Sequence, residues 1–196
     1  MAATFNVSGR WVGHYRHHGR SCAITAEFVH TGEIVTGTMT DGQTDFDQPL
    51  AEAALAAGLP PGADEQIDEW VRRRCPGARQ ERIRSVAQLP SDSVLQGGVH
   101  GQNIHFLKTY QGEHFTGYQI GDQRVGITIQ EHVVQYYGRI SADGTVIEGK
   151  WLIPASQPAQ RPAEGPFALR REPISSKVLT AVASENQRSE LMGSGK

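Results

Sequence analysis

Cysteine is scarce in this chain: Cys22 and Cys75 are the only two among 196 residues. So few thiols exclude a disulfide-stapled scaffold, and neither sits in a diagnostic context, so both read as free and reduced. Long apolar runs are missing as well. No stretch approaches the ~20 apolar residues a helix needs to span a bilayer. The opening MAATFNVSGRW lacks the basic and apolar segments of a secretory leader. Charge of one sign is absent: 19 Lys and Arg against 21 Asp and Glu leave a formal net charge of −2, too weak a field to draw in nucleic acid or anionic lipid. There is no G-x-S-x-G, no HExxH, and no paired Cys-His spacing of a zinc site or thiol enzyme. These absences set the expectation of a cytoplasmic protein with no membrane partner, no metal and no cofactor. They supply no catalytic motif.

What is present is a period of two. Val133 to Pro154, VVQYYGRISADGTVIEGKWLIP, reads as two strands joined at Ala142-Asp143-Gly144. On the first strand His132, Val134, Tyr136, Gly138 and Ile140 share a face; on the return Ile147, Gly149, Trp151 and Ile153 do. Side chains alternate sides along a strand, so one apolar row beside one mixed row marks one buried face. Asp-Gly suits a hairpin turn because both residues accept positive φ. The glycines within the strands mark bends or close backbone approach.

The same unit recurs along the chain. Trp11, Gly13, Tyr15 and His17 share a side, followed by a turn at His18-Gly19-Arg20. Ile24, Ala26 and Phe28 point inward on a second strand, and Ile34 to Thr40 returns as a third. Val94 to His100 and Ile104 to Tyr110 form another pair, Phe115 to Ile129 reads as one strand or two short ones, and Gly165 to Arg171 is the last. The prediction is a mainly β chain, an antiparallel up-and-down barrel of about eight strands, because full closure removes the edges of a long meander.

Residues 47–90 break the period. Leu50 to Ala57 and Asp64 to Arg74 read as helices. Asp64 and Glu65 open the second and Arg72, Arg73 and Arg74 close it, as the helix dipole favours. The expectation is a single barrel domain over 1–172 with a helical insertion at 47–90, anchored on the barrel by Trp70. A Pro-rich loop follows at 154–164, and 173–196 is a tail, helical or disordered.

Gly9-Arg10-Trp11 at the start of the first strand resembles the G-x-W motif of the calycins: lipocalins, fatty-acid-binding proteins and avidins. Gly149-Lys150-Trp151 and Gly165-Pro166-Phe167 repeat that spacing. The resemblance covers the strands and implies a closed barrel. It also implies that Trp11 seals the barrel base against an arginine from the end of the last strand, Arg170 or Arg171. The fuller pattern is similar to bacterial domains of unassigned function, which implies fold alone.

Polarity on the inward rows points to a site. If Trp11, Ile104, Phe106, Val134, Ile140, Ile147 and Ile153 face inward, so do Tyr15, His17, Lys108, Tyr110, His132 and Tyr136. An inward lysine is costly unless it is paired, hydrated or meeting an anion. Apolar walls with a few converging polar groups describe a small-molecule site, and these six residues are its candidate ligand contacts. The competing reading places the same residues at barrel ends with their tips in water.

Eight histidines invite a metal reading, but His14 and His17 fall on opposite sides of a strand. Arg72, Arg73, Arg74, Arg79, Arg82 and Arg84 make a basic patch without interleaved aromatics, which speaks against nucleic acid; the patch balances Asp64, Glu65, Asp68 and Glu69.

Two functions follow. The first is binding of a small, partly apolar molecule, neutral or anionic, in the barrel interior. The alternative is a non-catalytic interaction or scaffold module with a solid barrel, docking a protein partner or a second copy through 47–90 or 174–192. An enzyme using the inward histidines and lysine is a third reading, and it requires a perturbed pKa in a cleft.

Overall fold

The structure, a computed structural model, describes residues 5–17, 20–56, 58–77, 81–130, 132–154 and 162–173. The His18-Gly19 turn, Arg79, most of the Pro-rich loop and the tail from 174 onward lie outside the described residues.

Eight antiparallel strands close into a barrel. In chain order they are β1 (Gly9–His17), β2 (Arg20–Thr31), β3 (Ile34–Asp41), β6 (Asp92–His100), β7 (Asn103–Tyr110), β10 (Val133–Ile140), β11 (Val146–Ile153) and β12 (Ala163–Arg171). The ring runs β1-β12-β11-β10-β7-β6-β3-β2, so the first and last strands seal it, with Trp11 opposite Arg171 and Tyr15 opposite Phe167. The inward rows are those the alternation predicts. Trp11, Ile24, Phe28, Phe106, Tyr136, Ile147 and Leu169 are buried in one core. Phe106 stacks on Tyr136 at 4.8 Å between ring centres, and Phe167 meets Tyr136 edge-on at 5.0 Å.

The central hairpin forms as read. Asp143 accepts from the Thr145 amide and hydroxyl at 3.1 and 2.8 Å, and Gly144 adopts φ 70°. Gly138 lies opposite Gly149 across β10 and β11. A Cβ on Gly149 would stand 2.0 Å from the Tyr137 carbonyl oxygen, so close backbone approach is what excludes a side chain there.

One end of the barrel is plugged. Trp11 is fully buried and its indole N–H donates to the Val7 carbonyl at 2.8 Å. The guanidinium of Arg171 lies 5.2 Å from the Trp11 ring centre and donates to the Ser8 carbonyl at 2.8 Å. Arg171 is therefore the arginine that the resemblance anticipates, and a closed eight-stranded antiparallel barrel is consistent with a calycin-like architecture.

The opposite end is where the expectations need extending. Two excursions leave the barrel there, one between β3 and β6, the other between β7 and β10. The first carries β4 (Asp45–Pro49), α1 (Leu50–Ala56), α2 (Ala63–Arg74) and β5 (Ile83–Gln88); the second carries β8 (His114–Ile120) and β9 (Gln123–Ile129). The four strands form a separate sheet in the order β4-β5-β8-β9. The insertion is thus helical at its centre and strand-forming at both ends, and residues 115–129 do not join the barrel. The reason is physical: β5, IRSVAQ, buries Ile83 and Val86 three residues apart, so pairing with β4 and β8, rather than alternation, makes it a strand.

Trp70 does not anchor the insertion on the barrel. It is 40 % exposed, meets Tyr118 edge-on at 6.2 Å and carries the Arg74 guanidinium at 3.8 Å. Val71 is the buried residue of α2, in a small core with Leu50, Cys75, Ile83 and Ile120. Three arginines of the basic patch are paired locally: Arg72 with Asp68, Arg73 with Glu69 and Arg84 with Asp47. No helix among the described residues is long and apolar enough to cross a membrane.

Candidate functional site

The second sheet faces the unplugged mouth of the barrel, and a cavity of about 220 Å³ lies at that junction. Barrel strands contribute Tyr15, His17, Arg20, Tyr110, Val134, Tyr136, Trp151 and Ile153 to its walls; the second sheet contributes Phe46, Gln48, Ser85, Val86, Ala87, His114 and Thr116. His132, just ahead of β10 rather than within it, also lines the space. The two layers touch through His17, whose ring lies 6.3 Å from Phe46 of the second sheet and 5.2 Å from Trp151 of the barrel. Trp151 is fixed from behind, because its indole N–H donates to the Arg16 carbonyl at 3.0 Å.

Five of the six residues predicted as ligand contacts therefore surround one space: Tyr15, His17, Tyr110, His132 and Tyr136. Lys108 does not line it. Its side chain is closed off from solvent and forms an ion pair with Asp41, whose side chain is equally closed off. The lysine also donates to the Tyr110 hydroxyl at 3.0 Å. Of the options the sequence leaves for an inward lysine, the structure shows pairing.

Burial governs the ionisation of this cluster. It pushes the Asp41 carboxyl up and the Lys108 ammonium down, and the attraction between the two opposes both shifts. The phenols of Tyr15, Tyr110 and Tyr136 are all pushed up, first by burial and then by the nearby Asp41 carboxylate, so they stay protonated.

Two imidazoles form the polar edge of the cavity. His114 and His132 meet edge-to-face at 4.7 Å, and Tyr110 lies 5.5 Å from His132. Burial lowers both, with His132 brought down to about 4 by burial, then by His114 and Lys108. Both are neutral at pH 7. His14 lies on the outer face of β1, beside Arg16 and Pro166, as strand alternation requires. Among the described residues no group of three or more His, Cys, Asp or Glu is placed to hold a metal ion.

Sequence reasoning missed Asp41 and His114. Asp41 was within reach: the inward row Val35, Gly37, Met39 continues to it in one more step, and it is buried. His114 carried no signal, because β8 buries only its two end residues and shows no period of two. Neither protein-family models, nor curated proteins, nor solved structures contain a match to this chain.

Proposed function

We propose that this chain binds one small, largely apolar molecule in the cavity between the barrel mouth and the second sheet. The observation that carries this reading is the cavity itself: apolar and aromatic walls from two layers, with Tyr15, Tyr110, Tyr136 and two neutral imidazoles converging on it. Lys108 gives no support to an anionic ligand, since Asp41 already neutralises it. Binding is favoured over catalysis because an imidazole titrating near 4 is a poor general base at neutral pH.

The test is a titration with toluene at millimolar concentration, followed by NMR. The reading predicts shifts confined to residues around Tyr15, Val86 and Trp151, abolished by filling the space with Ala87→Trp. Shifts scattered over the outer surface, or none, contradict it.

A second reading has one observation in its favour. Leu55 is 79 % exposed and Leu59 is exposed nearby, an apolar step on the insertion. A partner or second copy contacting residues 47–90 would cover it. If Leu55→Ser with Leu59→Ser leaves the solution mass and partner set unchanged, that surface drops out.

A further inference from the structure

The chemistry of the cavity edge narrows the ligand class, and this step rests on the cavity being a binding site. His114 is only 8 % exposed, and no hydrogen bond reaches its ring among the described residues; its Nδ1 is sealed without a partner. No ligand can reach that atom, but the second ring nitrogen also has no hydrogen-bond partner among the described residues, and a buried polar atom is costly to leave unpaired. Since Nδ1 is sealed and the ring lines the cavity, the other ring nitrogen is the one a ligand can reach. His132 lies against the same ring at 4.7 Å.

We propose that the ligand is a neutral aromatic molecule bearing a hydroxyl, a phenol-class compound whose hydroxyl hydrogen-bonds the His114 imidazole. A neutral imidazole presents one donor and one acceptor, and which nitrogen holds the proton is not fixed by a partner here; a hydroxyl both donates and accepts, so it satisfies either tautomer. A carboxylate only accepts, so it suits one tautomer alone, and Lys108, held by Asp41, is not placed to offset its charge; Arg20, the cation that does line the cavity, makes the carboxylate the competing class. Tyr15, His17, Phe46 and Trp151 pack against one another and together line the cavity, an aromatic wall that favours a ring laid against it. The volume agrees, since an apolar cavity of about 150 Å³ already accepts benzene.

Phenol, toluene and benzoate are the probes. Phenol and toluene differ by a hydroxyl in place of a methyl, and their affinity ratio isolates the hydrogen bond. In the wild-type chain phenol binds at least as tightly as toluene despite being less apolar, and benzoate binds weakest. In His114→Phe the phenol-to-toluene affinity ratio falls about tenfold, whatever the change in toluene affinity itself. His114→Gln, which can restore a polar atom at that edge, recovers part of the ratio. Thermal melts of both variants confirm that each remains folded, and His114→Gln tests the assignment even where His114→Phe does not fold. Toluene binding with a ratio unchanged in both variants overturns the hydroxyl assignment and leaves the cavity reading standing. Benzoate binding tightest overturns the neutral class and transfers recognition to Arg20 at the rim. Binding by none of the three overturns both proposals.

Discussion

Lys108 and Asp41 form an ion pair inside the barrel, with both side chains fully withdrawn from water. Such a pair is weak evidence of stability, but breaking it from one side is costly, because the remaining charge stays buried and unpaired. Lys108→Met is therefore expected to destabilise the fold by about 3–5 kcal/mol in urea denaturation. The double change Lys108→Met with Asp41→Leu recovers most of that loss. A single change costing less than ~1 kcal/mol would show that water or a neutral pair already relieves the charge.

The plugged end makes a separate prediction. Trp11 fills the barrel base under Arg171, so Trp11→Ala opens a void and costs about 3–5 kcal/mol. Arg171→Ala removes the bond to the Ser8 carbonyl and the cover over the indole, at about 1–3 kcal/mol. Since both lie at the far end from the cavity, Arg171→Ala leaves toluene affinity within twofold. A larger loss of affinity would mean that the two ends are coupled.

Acid weakens the fold through the cavity histidines. His132 takes up its proton near pH 6.5 in the unfolded chain and only near 4 in the folded one. Between those values the unfolded state binds more protons, so stability rises with pH from 4 to 6.5 and falls on acidification through the same window. His114, also lowered by burial, acts in the same direction. Urea midpoints across pH 4–7 should show this slope, and His132→Phe should flatten it in part. A midpoint independent of pH, or one rising toward pH 4, would contradict a buried neutral imidazole.

Close approach between β10 and β11 predicts that Gly149→Ala is poorly tolerated. Its Cβ would meet the Tyr137 carbonyl oxygen at 2.0 Å, so the hairpin must open. A loss of roughly 1–3 kcal/mol is expected from overpacking of this kind, read as a lower melting temperature. An unchanged melting temperature would show that the strands part freely there.

The barrel was legible in the sequence because its strands bury one face and expose the other. Trp11, Tyr15, Phe106, Tyr136 and Trp151 all fall on the inward row that the alternation defines. The arginine over Trp11 came from resemblance, and only the structure separates Arg171 from Arg170. The second sheet was illegible for a matching reason. β9 is largely exposed along its length and β5 lacks alternation, so neither prints a period on the sequence. Seven residues of the cavity wall, among them His114, Phe46 and Val86, come from that sheet. Lys108 shows the remaining limit: alternation locates an inward lysine but cannot tell an ion pair from a ligand contact, because the partner lies 67 residues away on another strand.

The most direct test of ligand binding is native mass spectrometry of freshly purified protein beside Ala87→Trp, each measured before and after denaturation. The account predicts a small molecule retained by the wild-type chain, released on denaturation and absent from the cavity-filled variant. A molecule retained equally by both, or a wild-type chain that carries nothing and takes up neither toluene nor phenol, would contradict it.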